Sequence, residues 1–376
     1  MESKAEIRDI AKLFLKLGII GFGGPAAHIT MMRDEVVVKR KWLTEQHFLD
    51  LIGATNLIPG PNSTEMAIHI GYEKGGWKGL IVAGLCFIIP AVFITGIFAW
   101  LYKQYGQLPE VQPFIYGIKP AIIAIILGAI FPLAKKSLKS TELRLIGLVV
   151  LICSLLNINE IYLLFGAGFF ALFITYIRNN KQNNISSFLP LAVLQITNTT
   201  ILSATNANLF WIFLKIGALL YGSGYVLFAF LDTELVATGL LSRQQLIDAI
   251  AVGQLTPGPV FSTVTFIGYQ INGFTGAIIS TIAIFLPSFI FVALLKPMIN
   301  KMRNSKLFSA FLDAVNAASV AIIVAVCFDM GKESITDWRT LFIAILSIVI
   351  AFGFRKINSA FVVLSGSILG YLLTLI

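Results

Sequence analysis

Charge is what this chain has least of: 12% of its 376 residues are Asp, Glu, Lys or Arg, while 57% are hydrophobic. Soluble domains run nearer 25% charged, and a mean hydropathy of +0.85 excludes a water-soluble globule. Cysteine is nearly absent. Cys86, Cys153 and Cys327 each fall inside apolar sequence without a CxxC-like neighbour, so neither a disulfide framework nor a thiolate metal site is indicated. The three histidines are scattered, and no HExxH, dinucleotide fingerprint or Walker A string occurs. No enzyme, ATP-driven pump, metal or cofactor is therefore expected. The opening "MESKAEIRDIAKLF" lacks an apolar core and a small-residue cleavage site, so no cleavable signal peptide is expected. A net charge of +9 would suggest nucleic acid in a soluble domain. Here the bases gather in loops as cytoplasmic anchors, and no nucleic-acid partner is expected.

What the chain does have is apolar length. Trp77 to Leu101, Phe114 to Leu133, Ile161 to Ile177, Leu209 to Leu231, Phe274 to Leu295 and Phe308 to Phe328 are long apolar runs. Most approach or exceed the ~20 residues that cross ~30 Å of hydrocarbon. The chain reads as an all-α polytopic protein of the cell membrane, with the lipid bilayer as its solvent. Homo-oligomeric assembly is compatible with that reading.

The chain is also written twice. "FLKLGIIGFGG" (Phe14 to Gly24) lies over "FLKIGALLYGS" (Phe213 to Ser223), Pro59-Gly60-Pro61 over Pro257-Gly258-Pro259, and "GYEKGGWKG" (Gly71 to Gly79) over "GYQINGFTG" (Gly268 to Gly276). Residues 1–178 are the first repeat, 179–205 a basic and polar linker, and 206–376 the second repeat. Equivalent loops have opposite charge character: Lys296, Lys301, Arg303 and Lys306 against one Lys and one Glu in 102–112, and Lys135, Lys136, Lys139 and Arg144 against the mixed 329–339. Basic loops stay cytoplasmic, so the repeats are expected to have inverted topology. Five crossings per repeat, near 10–28, 77–101, 113–133, 144–157 and 160–177 in the first, plus a re-entrant Pro-Gly-Pro helix pair, give that inversion. Six crossings, with the break interrupting a full span, is the alternative.

Pro59 and Pro61, like Pro257 and Pro259, are structural breaks that leave carbonyls and amides unpaired. Irregular backbone survives in a bilayer only inside protein or beside a watery cavity. A helix N-terminus there favours an anion, so Gly60, Asn62 and Ser63 in one half and Gly258 and Ser262 in the other are candidate ligands of an oxyanion near the midplane. A proline-kinked pair of helices packing tightly is the plainer reading. Lys16 and Lys215 occupy equivalent places in apolar sequence, and either help bind the anion or snorkel to an interface. The glycine strings "GFGGPAAH" and "YGSGY" either let helices approach closely or open amides to the ligand, with Ser223 adding a hydroxyl. Glu65 lies one turn before His69 and is a candidate for proton coupling, for lining a hydrated vestibule or for a structural pair. Asp50 and Asp248, equivalent acids, are candidates for coupling, for pairing with the lysines or for capping backbone.

Together "GFGGPAAH", the Trp42 region, the paired PGP strings, "GGWKG", "NGFTG", Pro90 and Pro287 resemble the chromate ion transporter family, in its long two-half form. The resemblance implies an inner-membrane carrier that expels chromate, a tetrahedral dianion, using the proton gradient or the membrane potential. It implies site positions at Gly23, Gly24, Pro25, His28, Asn56, Pro59, Gly60, Pro61, Gly222, Ser223, Gln254, Pro257, Gly258 and Pro259. The second half lacks a His28 equivalent and has Val260 for Asn62. A carrier of sulfate or another anion, or an anion channel of the same fold, is the alternative.

Overall fold

The computed structural model describes residues 6–22, 24–179, 206–222, 224–295, 302, 305–353 and 358–375. Gly23, Ser223, nearly all of the linker, and the bases Lys296, Lys301, Arg303, Arg355 and Lys356 lie outside them. All regular structure among the described residues is helical. The first repeat supplies α1 (Ile7–Ile20), α2 (Gly24–Arg33), a π-helical turn (Asp34–Lys39), α3 (Glu45–Thr55), α4 (Asn62–Tyr105), α5 (Gln112–Ser137), α6 (Thr141–Leu155) and α7 (Glu160–Asn179). The second repeats the order: α8 (Asn206–Leu219), α9 (Val226–Leu231), a π-helical turn (Asp232–Val236), α10 (Arg243–Leu255), a 3₁₀ turn (Val260–Ser262), α11 (Thr263–Leu295), α12 (Lys306–Ser334), α13 (Trp338–Gly353) and α14 (Ser359–Thr374).

Among the described residues, five helices are long and apolar enough to cross a membrane: Asn62–Tyr105, Gln112–Ser137, Glu160–Arg178, Val260–Leu294 and Lys306–Ser334. The chain is a multi-pass integral membrane protein. The expected crossing at 10–28 is two helices, because the chain bends at Gly21 and Gly24 takes φ +78°, a conformation that favours glycine. The expected crossing at 144–157 is the 15-residue α6, about 22 Å long and shorter than the hydrocarbon.

Local sequence fixes the starts and stops. The Thr44 hydroxyl caps α3 by accepting from the His47 amide, and Ser242 forms a reciprocal capping box with Gln245 at α10; such caps satisfy amides that no helical carbonyl reaches. Inside α4 and α11 the chain doubles back at Gly76 (φ 58°, ψ −147°) and Gly273 (φ 60°, ψ −149°). A Cβ on Gly84 would lie 3.0 Å from the Ile68 side chain, and Thr265 bonds Thr281 at 2.8 Å. Residues sixteen apart stand about 24 Å apart in a straight helix, so each element is a hairpin. Only glycine fits where Gly71 meets Gly79, and Gly268 meets Gly276, backbone to backbone.

The helices form two bundles. In one, α1 packs on α4, α8 on α11 and α4 on α11; in the other, α14 packs on α5, α7 and α6 on α12, and α13 on α5. The equivalent helices α5 and α12 join across the second bundle and run antiparallel. Tyr116 bonds Asp337, the Cys327 thiol lies 3.9 Å from the Ile123 carbonyl, and Lys139 bonds Asp313 at 2.9 Å, so the contacts advance along one helix as they retreat along the other.

The halves are not docked alike. The second repeat's α9 and α10 join the two bundles by packing on α12, α5 and α14. No comparable packing of α2 or α3 on the second bundle is found among the described residues. Leu49 of α3 is accordingly 49% exposed, whereas its equivalent in α10, Ile247, is 0% exposed.

Candidate functional site

Between α3 and α4 the chain turns back on itself at a tip. His47, at the start of α3, lies 3.7 Å from Glu73 near the end of the first limb of α4. Two helices of 11 and about 14 residues in line would separate those ends by more than 30 Å, so the limbs fold back together with Pro59-Gly60-Pro61 at their junction. Asn56 and Asn62 stitch the junction: the Asn62 amide nitrogen donates to Asn56 Oδ1 at 3.0 Å, and Asn56 donates to the Ile52 carbonyl at 2.7 Å.

Each tip is held by the opposite half. The Gly60 N–H donates to the Leu220 carbonyl at 2.8 Å, and the Gly258 N–H donates to the Gly21 carbonyl at 2.7 Å. Leu220 and Gly21 are equivalent positions just past α8 and α1, so one contact is the repeat image of the other. Each tip also rests beside the proline of the opposite long helix. A Cβ on Gly60 would sit 2.7 Å from Ser288 Oγ, next to Pro287, and one on Gly258 would sit 2.8 Å from Ala91 Cβ, next to Pro90. Both glycines have positive φ, 132° and 86°.

The Gly60 and Gly258 amides are thus consumed by carbonyls of the opposite half. The amides left without an intrahelical partner at a helix start belong to Asn62 and Ser63 in the first half and to Val260 and Phe261 in the second. Polar side chains gather behind them. Thr95 Oγ1 lies 3.4 Å from Ser262 Oγ and 3.5 Å from Thr256 Oγ1. Glu65 Oε1 lies 3.5 Å from Ser288 Oγ, and Glu65 is fully buried. Both breaks are buried, so the site is closed.

The glycine strings converge on the same region. The His28 ring bonds the Gly21 carbonyl through Nε2 at 2.8 Å. A carbonyl only accepts, so Nε2 carries the hydrogen, and Nδ1 has no partner among the described residues. Gly21 thus ties the buried His28 to the second tip. A Cβ on Gly24 would lie 3.9 Å from the Tyr225 hydroxyl, which interacts with Gln254. Gly222 lies against Ser319 and Asn316 of α12.

Lys16 and Lys215 are not brought to the breaks. Lys16 bonds Glu35 at 2.8 Å and Lys215 bonds Glu234 at 2.5 Å, both in the π-helical turns. Lys39 also reaches Glu35, at 2.9 Å, and these hydrogen bonds to Lys16 and Lys39 hold the Glu35 carboxyl down to about 2. Asp248 does not pair with Lys215; it accepts from the Tyr102 hydroxyl at 2.6 Å and from Gln244 at 3.3 Å, with Lys119 in electrostatic reach. Asp50, on the exposed α3, is only half-buried. Ser288, Thr95, Glu35 and Glu234 were not singled out from sequence, although the repeated Lys-to-Glu spacing of 19 was there to read. A separate pocket, lined by Ser154, Asn157, Glu160, Asp232 and Arg243 among others, contains no break residue.

Buried breaks with polar linings, in a chain otherwise built for lipid, suit the passage of a small hydrophilic solute. A family profile described as chromate transporter matches residues 8–172 and again 207–371. The chain belongs to the chromate transporter family. It is 31% identical over 350 residues to a probable chromate transport protein of Synechococcus elongatus, covering 91% of this chain and 89% of that one. It is 30% identical over 371 residues to the chromate transport protein of Cupriavidus metallidurans, covering 97% and 92%. An uncharacterized transporter of Bacillus subtilis matches over 134 residues at 34% identity, covering 35% of this chain and 67% of its own length. No solved structure matches the chain. The family is one of transporters rather than enzymes, and each of the two profile matches covers one repeat.

Proposed function

We propose that this protein exports chromate, or a tetrahedral oxyanion of the same charge, by binding it between the two Pro-Gly-Pro tips. The observation that carries the reading is the reciprocal clasp of the tips, Gly60 on Leu220 and Gly258 on Gly21, in a member of a chromate transporter family. The clasp brings the starts of both post-break helices toward the junction of the repeats, where their first amides and the hydroxyls of Ser63, Ser262 and Thr95 can accept a dianion's charge. The site is built of dipoles and hydroxyls, with both repeat-equivalent lysines held elsewhere, so the ion is not trapped by fixed cations. Export needs no chemistry: with the inside negative, outward movement of a dianion is favoured by about 2.3 kcal/mol per charge per 100 mV.

The two repeats are inverted in this reading, supported by the antiparallel run of α5 on α12 and by the opposed loop charges. The unequal docking then represents one end of a transport cycle. In the other, α2 and α3 pack on the second bundle and α9 and α10 leave it, which opens the site to the opposite face.

The experiment is chromate counterflow in proteoliposomes of the purified protein. Saturable exchange that accumulates labelled chromate against its gradient supports a carrier; flux that never saturates and only runs downhill identifies a channel. Suppression by unlabelled sulfate as strong as that by unlabelled chromate at the same concentration would make the substrate a general tetrahedral dianion.

A further inference from the structure

The first break contains an acid that the second lacks. Glu65 stands on the first turn of α4, and its repeat equivalent is Thr263, whose hydroxyl is satisfied by the Val260 carbonyl at 2.7 Å. Glu65 is 0% exposed. Among the described residues its Oε1 reaches only Ser288 Oγ, at 3.5 Å, beyond a good hydrogen bond, and its Oε2 has no hydrogen-bond partner. The neighbouring Thr64 Oγ1, also buried, has none either among the described residues. The groups facing the carboxyl are Ser288 from α11, Tyr221 from the glycine turn after α8 and the Gly60 backbone, and His69 stands one turn along the same helix. An ionised carboxylate stripped of water, with most of its lone pairs accepting no hydrogen bond, costs many kcal/mol, whereas a neutral acid needs far less. The same carboxyl touches Gly60, the residue clasped by the other half, so opening this tip is what would admit water to it.

We infer that Glu65 is the proton-binding site of the transport cycle: the first tip closes only when the Glu65 carboxyl holds a proton, taken from water while the tip is open and returned when it reopens. The inference rests on the transport reading for its role in flux, but not for the protonation itself. The chemistry is one proton added to one carboxylate oxygen, with water as donor and acceptor, and no other group is consumed. Because the second tip has threonine at this place, a single titrating group serves the cycle, and closure of the two tips differs in its response to pH.

Two measurements test it. Infrared spectroscopy of the purified protein at neutral pH is expected to show a carboxylic-acid C=O band that is lost in Glu65→Gln and in Glu65→Thr, the substitution that copies the second half. In proteoliposomes with equal pH on both sides, chromate flux by the wild type is expected to fall as pH rises, and Glu65→Gln is expected to lose that fall. A wild-type band that persists undiminished in both variants, or a variant with the wild-type pH profile, overturns the inference. If the wild type carries no chromate at all, the transport reading fails, and the infrared arm alone still decides whether Glu65 holds the proton.

Discussion

The Gly60 amide and the Leu220 carbonyl, 2.8 Å apart, belong to different halves of the chain and join the tip of one repeat to the end of a helix in the other. With its image, Gly258 on Gly21, this contact makes each half the seat of the other's break. Several measurable consequences come from the contacts around this pair.

Bulk at either tip glycine should stop transport. Gly60→Leu would drive a side chain into Glu65 and Ser288, and Gly258→Leu into Ala91, at positive-φ positions that cost a non-glycine residue about 1–3 kcal/mol on their own. Each variant is expected to insert in the membrane, to melt at a lower temperature in detergent, and to lose chromate flux.

Lys16→Ala should leave chromate affinity unchanged, because Lys16 is engaged with Glu35 rather than the breaks. Equilibrium binding of chromate to the purified variant checks this; a loss of affinity would return the lysine to the site.

The Glu35 carboxyl, held at about 2 against an ordinary value of 4.5, gives a stability term with a defined pH window. A depressed value in the folded state means the term is fully present above about 4.5 and disappears as pH falls toward about 2. Melting temperature measured across that range should drop more steeply for the wild type than for Glu35→Gln, which has already lost the term at neutral pH.

Tyr102→Phe removes the hydroxyl that donates to the buried Asp248 at 2.6 Å. Hydrogen bonds to charged groups are worth about 1.5–3 kcal/mol, and a loss of that order is expected in denaturant or thermal unfolding.

The unequal docking predicts a second state by exchange of repeats. Ser319 donates to the Tyr221 carbonyl at 3.2 Å; the equivalent pair in the first half is Phe22 and Ile122. In a background with Cys86, Cys153 and Cys327 replaced, cysteines at 221 and 319 and cysteines at 22 and 122 should cross-link in opposite proportions as chromate or pH is varied. Two pairs that rise and fall together would rule out the exchange.

The sequence carried the broad architecture well and the local chemistry poorly. Helical membrane character followed from apolar length. The tight hairpins were only implicit in "GGWKG" and "NGFTG", because doubling back depends on Gly76 and Gly273 adopting positive φ, which residue type permits without requiring. The fate of the Gly60 and Gly258 amides was not legible at all: their acceptors lie roughly 160 and 237 residues away, and nothing local identifies a carbonyl as a partner. Lys16 and Lys215 could be read as ligands or as interface anchors, since an isolated cation in apolar sequence is costly and a long side chain can snorkel. Their carboxylates stood 19 residues on in both halves, beyond any helical spacing.

The most direct test of an anion site between the clasped tips is chromate flux into proteoliposomes carrying the wild type, Gly60→Leu or Gly258→Leu at matched protein density. Saturable flux in the wild type that vanishes in both variants is the predicted result. Flux that both variants retain, or a wild type that carries no chromate, would contradict it.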